Sequence, residues 1–188
     1  LIEECPSPIL EEKQRNEIFE ISIKAMNNLG YQNIGTIEFL FQDGNFYFIE
    51  MNTRLQVEHP ITELVYGIDI VKEQIKIASG QKIKFNQNNI VRNGHSIECR
   101  INAENPINFF PSTGQINAYH VPGGPGIRID SALYTGLTIS NYYDGLIAKL
   151  VIHGKDREEC LMRLKRALLE FVIEGVETTI PLYQNLIE

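Results

Sequence analysis

Cysteine is scarce in this chain: Cys5, Cys99 and Cys160 are the only three among 188 residues. An odd number at such wide spacing excludes a disulfide framework and any C-x-x-C metal knuckle, and it points to a reducing compartment. No stretch approaches the ~18 uninterrupted apolar residues of a membrane span. Basic residues are in deficit, 17 Lys and Arg against 24 Asp and Glu, for a formal charge of −7. That balance argues against nucleic acid or an anionic membrane as the main partner, while leaving room for a local basic pocket that holds an anion. Leu1-Ile2-Glu3-Glu4 has neither the basic start nor the apolar core of a signal peptide, and the missing initial Met suggests a processed or excised piece. Internal repeats and low-complexity tracts are absent too. So is a glycine-rich, lysine-bearing phosphate loop: the 14 glycines are scattered or, at Gly123–Gly126, interrupted by Pro125. What is present is 43% hydrophobic residues, enough to bury a sizeable core in one large domain or two packed lobes.

Periodicity gives an α+β outline with mostly antiparallel strands. Ser7-Pro8, an N-cap followed by a first-position proline, opens a helix with the stripe Ile18, Ile21, Ala25 and Leu29, closed by Gly30. Thr36–Phe41 and Phe46–Met51 read as a hairpin about Asp43-Gly44. After an extended polar stretch, Asp69 caps a helix through Val71, Ile75 and Ala78 that ends at Gly80. Residues 81–94 are rich in Asn and short of apolar residues, which suits a linker or lobe boundary. Strands are expected at His95–Glu104, Gln115–Val121, Gly126–Ser131 and Leu146–His153. Asp156 and Glu159 then cap a helix carrying Leu161, Leu164, Leu168 and Phe171, stopped by Gly175.

The chemistry is concentrated between Phe48 and Pro60. Even positions from Glu50 to Glu58 read Glu, Asn, Arg, Gln, Glu, while odd positions from Ile49 to Val57 are mostly apolar. In an extended chain these sets face opposite ways. The plain account is an amphipathic strand with a solvated face. Against it, the polar face holds hard oxygen ligands beside a guanidinium and an amide, Asn52 is a poor strand residue, and Glu38 adds a carboxylate on the neighbouring strand. A two-residue Asp43-Gly44 turn would put Glu38 and Glu50 on opposite faces of the sheet. The three-residue loop Gln42-Asp43-Gly44, pairing Phe41 with Asn45, places Glu38, Leu40, Glu50 and Asn52 together, and this is the expected register. Two carboxylates, an amide oxygen and retained waters suit Mg²⁺ or Mn²⁺ bridging substrate phosphates; Zn²⁺ fits less well, since this face lacks His and Cys. Arg54 and Gln56 supply donors for a small planar oxyanion, and Glu58 follows as a general base towards an acid bound between them. His59, of opposite parity and just before Pro60, is the alternative base, but it reads more readily as a packed or loop histidine.

Phe48-Ile49-Glu50-Met51-Asn52-Thr53-Arg54 resembles the metal-binding signature of ATP-grasp ligases. Continued as Leu55-Gln56-Val57-Glu58-His59-Pro60-Ile61-Thr62-Glu63, it is similar to the biotin carboxylase family, the ATP-dependent component of biotin-dependent carboxylases such as the acetyl-CoA carboxylase of fatty acid biosynthesis. Gly94–Glu104, Phe110-Pro111-Ser112-Thr113-Gly114 and Tyr142–Leu150 agree with it. The resemblance implies the C-terminal lobe of an ATP-grasp fold over residues 1–84, packed on a mostly antiparallel biotin carboxylase C-terminal domain over 85–188. It further implies that Glu38 and Glu50, assisted by Asn52, hold Mg²⁺ or Mn²⁺ on ATP, and that Leu40 packs near the adenine. Arg54, Gln56 and the Val57 backbone would hold bicarbonate, with Glu58 as its base. The chemistry implied is attack of deprotonated bicarbonate on the γ-phosphate to give carboxyphosphate, which breaks down to CO₂ and phosphate. The phosphate then takes the N1′ proton of biotin, and Arg100 stabilises the enolate-like ureido oxygen, with Asp144 near that pocket. Taken alone, Arg100 reads instead as a strand ion pair with Glu98 or Glu104.

The implied partners are a biotin carboxyl carrier protein or domain, a carboxyltransferase component and, in the full-length enzyme, a second copy. The cytoplasm is the expected compartment; an organelle stroma or matrix also fits. The family carries its phosphate-binding lysines and adenine hinge upstream, on an N-terminal domain and a mobile lid, and a bicarbonate-binding lysine would fall just before Leu1. The chain therefore matches the C-terminal part only and is expected not to turn over alone. Two other readings stand beside this one. The carbamoyl-phosphate-forming ligases share the Glu-x-Asn-x-Arg pattern, but Gln56–Pro60 and the C-terminal blocks argue against them. A non-catalytic piece that folds and pairs is the other.

Overall fold

A buried arginine delays the first helix beyond the Ser7-Pro8 signal. In the computed structural model, which describes residues 1–187, Arg15 is 7% exposed. Its Nη2 donates to the carbonyls of Ser7 at 3.2 Å and Leu10 at 2.9 Å. These bonds hold residues 7–10 as a turn. Strand β1 (Ile2–Cys5) precedes it, and helix α1 (Glu12–Leu29) follows, with Glu11 and Gln14 closing a capping box and Gly30 stopping it in the left-handed region.

The hairpin is formed by β2 (Thr36–Gln42) and β3 (Asn45–Asn52), and its register corrects the expected three-residue loop. Gln42 pairs with Asn45 across a two-residue turn in which Asp43 has φ 51° and Gly44 has φ 78°. Both positive values suit a type I′ turn, whose twist matches the strands. The carboxylates converge by another device. Phe39 pairs with Phe48 but Glu38 pairs with Glu50, so Ile49 is an extra, bulged residue. One face of the hairpin therefore carries Thr36, Glu38, Leu40, Tyr47, Glu50 and Asn52. The other carries an aromatic cluster, with Phe39 lying 6.2 Å from both Phe46 and Phe48 between ring centroids.

The alternation beyond Asn52 is not a strand, which is a second correction. Asn52 pairs with Thr36, the first residue of β2, so no partner remains for the chain beyond it. Residues 53–58 turn instead into α2 (His59–Tyr66), with Pro60 in its first turn and Gly67 as its left-handed cap. Asp69 Oδ1 accepts from the Lys72 amide at 2.8 Å and caps α3 (Ile70–Ala78) as expected. Glu63 Oε1 accepts from the Ile70 amide at 2.9 Å, tying the two helices.

Pro6–Arg92 form one compact unit; Leu1–Cys5 join the residues from Asn93 onward in another. The first strand thus belongs to the later unit. In that unit β1, β4 (His95–Asn102), β9 (Leu146–Gly154) and β7 (Ile127–Ser131) form a four-stranded sheet in that order, all antiparallel. Ile97, Cys99, Ile101, Leu150 and Ile152 share one face and bury it against α4 (Arg157–Glu170) and α5 (Ile180–Leu186), through Cys160, Leu164, Leu168 and Tyr183. The opposite face carries charges, Glu3, Glu98, Arg100, Lys149, Arg128 and Asp130, an alternation that period-2 geometry requires.

The strand expected at Gln115–Val121 is two short ones, β5 (Gly114–Gln115) and β6 (Ala118–His120). They serve different partners, β8 (Thr138–Ile139) and β10 (Val172–Glu174), with fully buried Ile116 between them. Pairing of β10 with β6 also explains why α4 ends at Glu170, short of Gly175. Its N-terminus matches expectation: Asp156 Oδ1 accepts from the Glu159 amide at 2.8 Å, and Glu159 Oε2 from the Lys155 amide at 2.6 Å. Among the described residues, no helix is long and apolar enough to cross a membrane.

Candidate active site

The β2–β3 bulge aims two carboxylates at one point. Asn52 Nδ2 donates to Glu38 Oε1 at 2.8 Å and to Glu50 Oε1 at 3.1 Å, so these two oxygens lie within about 6 Å of each other. Gln56 Nε2 also donates to Glu38 Oε1, at 3.2 Å. Among the described residues, neither carboxylate is bonded to a cationic side chain. Two anions held only by neutral amides are electrostatically incomplete, and a divalent cation between them would complete them. A half-turn of the Asn52 amide would present its oxygen as a third ligand. Among the described residues, no three His, Cys, Asp or Glu side chains form a cluster that could hold a metal. Two carboxylates and an amide oxygen are hard donors that could hold a divalent cation such as Mg²⁺. Leu40, on the same face, is 63% exposed.

Beside this pair lies a cavity of about 310 Å³ lined in part by Arg54, Gln56, Glu58, His59 and Thr62. The turn at residues 57–58, not strand parity, brings these side chains together. Arg54 donates to the Leu55 carbonyl at 3.2 Å through one nitrogen. Glu58 is the N-cap residue of α2, yet its carboxylate does not cap the helix. His59 Nδ1 lies 2.7 Å from the Gln56 carbonyl oxygen. Parity does not place His59 on the cavity wall; proline directly after it, a helix-start signal, is the clue the sequence offers. Val57 lies in the same turn, half-buried.

Arg100 and Asp144 belong to the other unit. Arg100 sits on β4 opposite Lys149, and its Nη2 lies 2.8 Å from Glu3 Oε1 on β1. Glu3, across the ladder on β1, is thus an ion-pair partner of Arg100, and the sequence hides it because nothing local marks β1 as a strand. The Arg100 carbonyl accepts from the fully buried Tyr183 hydroxyl at 2.5 Å and from Thr179 Oγ1 at 3.1 Å, which fixes the backbone under the guanidinium. Asp144 is exposed, beside a concavity of about 320 Å³, and precedes Gly145, whose carbonyl accepts from the Ala103 amide at 2.7 Å. On the same sheet face, burial acts to raise the Asp130 carboxyl, but hydrogen bonds and charge from Arg128 and Lys149 prevail and hold it below the usual range.

Two family models match this chain: the carbamoyl-phosphate synthase L chain ATP-binding domain over residues 1–86, and the biotin carboxylase C-terminal domain over residues 98–188. Over 186 residues the chain is 52% identical to the biotin carboxylase of Allochromatium vinosum, covering 99% of this chain and 41% of that protein. Residues 98–188 belong to the biotin carboxylase C-terminal domain family. The chain is also 52% identical over 191 residues to biotin carboxylase 1 of Bacillus subtilis, covering 100% of this chain and 42% of that protein. The biotin carboxylase domain dimer of the Hydrogenobacter thermophilus 2-oxoglutarate carboxylase, solved with MgADP, ADP and bicarbonate, has the same fold. Its TM-score is 0.97 at 49% identity, with 100% of this chain and 42% of that one covered. The chain spans about two-fifths of the length of these biotin carboxylase relatives. The match of residues 98–188 also weighs against the carbamoyl-phosphate-forming alternative, which the first model alone would leave open.

Proposed function

We propose that this chain supplies the metal, bicarbonate and biotin side of a biotin carboxylase, which uses ATP and bicarbonate to carboxylate biotin on a carrier protein or domain. The observation that carries this is the convergence of Glu38, Glu50, Asn52 and Gln56 beside a cavity lined by Arg54 and Glu58. Glu38, Glu50 and Asn52 would hold a divalent ion, which when bound would neutralise charge on the transferring phosphoryl group. Arg54, a planar guanidinium, pairs with the planar bicarbonate anion; Gln56 and the Val57 N–H add neutral donors. Glu58, across the same cavity, takes the bicarbonate proton, making the oxygen that attacks the γ-phosphate nucleophilic. The product, carboxyphosphate, breaks down to CO₂ and phosphate, and the phosphate accepts the N1′ proton of biotin. Arg100 holds the developing negative charge on the ureido oxygen, and Glu3 keeps that guanidinium in place until the acceptor arrives. Asp144 is assigned to the biotin side, and Leu40 to the adenine. A carboxyltransferase component and a second copy complete the assembly.

The test is ADP release dependent on both bicarbonate and biotin, measured with this chain alone and with the N-terminal part of a biotin carboxylase added as a separate polypeptide. Activity is expected only in the mixture and is expected to vanish with Glu58→Gln. A silent mixture, with both pieces folded and the N-terminal part binding ATP, would overturn the proposal.

A further inference from the structure

The Gln56 carbonyl accepts twice from one residue: from the His59 amide at 3.4 Å and from His59 Nδ1 at 2.7 Å. A carbonyl can only accept, so Nδ1 carries a proton whether the ring is neutral or charged, and in the neutral ring Nε2 is the basic nitrogen. The peptide joining Gln56 to Val57 is a rigid trans plane in which C=O and N–H point in opposite directions. Holding the Gln56 oxygen towards the first turn of α2 therefore fixes the direction of the Val57 N–H. The ring that does this lines the same cavity as Arg54, Gln56 and Glu58.

We propose that His59 is a positioning residue: its Nδ1–H locks the Gln56–Val57 peptide so that the Val57 N–H meets the bicarbonate oxyanion held by Arg54. This rests on the assignment of that cavity to bicarbonate. It gives His59 a place in the site that does not depend on its taking a proton. The role belongs to one nitrogen, which makes it separable from a base role at the other. An asparagine amide nitrogen can occupy the position of Nδ1, whereas a glutamine amide nitrogen reaches the position of Nε2 and leaves the Gln56 carbonyl without its side-chain donor.

The experiment is steady-state ADP release by the full-length carboxylase carrying His59→Ala, His59→Gln and His59→Asn, with thermal unfolding of each protein followed alongside. A misdirected donor to an anion costs a charge-assisted hydrogen bond, so the Ala and Gln variants should raise the KM for bicarbonate roughly tenfold or more. The KM for ATP should be unchanged, and Asn should restore most of the loss. A wild-type bicarbonate KM in a folded His59→Ala enzyme would overturn the proposal. So would rescue by Gln with failure of Asn, which assigns the function to Nε2. Absence of bicarbonate-dependent ADP release in the wild-type enzyme would instead remove the assignment of the cavity itself.

Discussion

Replacing Glu38 by Gln separates the chemical role of the carboxylate pair from its part in the fold. Gln keeps the size of the side chain and the Oε1 acceptor that receives hydrogen bonds from Asn52 at 2.8 Å and Gln56 at 3.2 Å. Only the charge is lost. With the facing oxygens within about 6 Å, their repulsion is at least about 0.7 kcal/mol in a water-like dielectric. Removing it favours the metal-free hairpin, while the two amide bonds lose charge assistance worth a comparable amount. The metal-free variant should therefore unfold within about 1 kcal/mol of wild type. Metal use should behave differently. Loss of residues that merely support ligands typically costs 10–100-fold in metal affinity or activity, so loss of a direct ligand should cost at least about 100-fold. The assay is a Mg²⁺ titration of ADP release in the full-length enzyme, paired with denaturant unfolding in chelator. A Glu38→Gln enzyme with wild-type Mg²⁺ dependence would refute the assignment of the bulged hairpin as a metal site, and a large loss of metal-free stability would refute the electrostatic account.

Further outcomes follow from the second unit. Glu4 accepts from Arg157 Nε at 2.8 Å and His95 Nε2 at 2.9 Å; burial acts to raise its carboxyl, but these bonds and charges prevail and hold it below the ordinary 4.5. A carboxylate depressed on folding stabilises above its unfolded value, and that stabilisation is lost as pH falls through the depressed one. Glu4→Gln should thus cost about 1 kcal/mol at neutral pH, after allowance for the exposed Arg157, and the gap to wild type should close on acidification below 4.5 in pH-dependent unfolding. Burial pushes the Cys99 thiol up to about 12 and that of Cys160 up to about 11, so a thiol reagent near pH 8 should label Cys5 first and leave the other two until unfolding. Gly175 has φ 106°, and a Cβ there would collide with the Gln115 carbonyl; Gly175→Ala should lower stability by about 2 kcal/mol or more, read by denaturant unfolding.

Elements with strong local chemistry are legible in the sequence: the Asp69 and Asp156 caps, the Asp43-Gly44 hairpin, and the alternation along β4 and β9 that buries Ile97, Cys99 and Ile101. What escapes it depends on partners far away in the chain. β1 is four residues long and pairs with β4, more than ninety residues on, so nothing local marks it. The start of α1 is set by where a buried guanidinium finds carbonyls, not by serine and proline. The hairpin is the most instructive case. A two-residue turn does send Glu38 and Glu50 to opposite faces in a regular ladder, and Ile49, bulged out, restores the convergence. A bulge has no dependable sequence mark, so parity reaches the right grouping of carboxylates through the wrong loop. Likewise Arg54, Gln56 and Glu58 share a cavity, but a turn and a helix start gather them, not strand parity.

The central claim is that bicarbonate bound beside Arg54 and Glu58 attacks a phosphoryl group. Its most direct test is isotopic. With oxygen-18 bicarbonate and the full-length carboxylase, the inorganic phosphate released should carry one labelled oxygen for each ADP formed, because the bridging oxygen of carboxyphosphate stays with phosphorus when CO₂ leaves. Phosphate labelled from solvent water instead, with bicarbonate oxygen absent from it, would contradict the account.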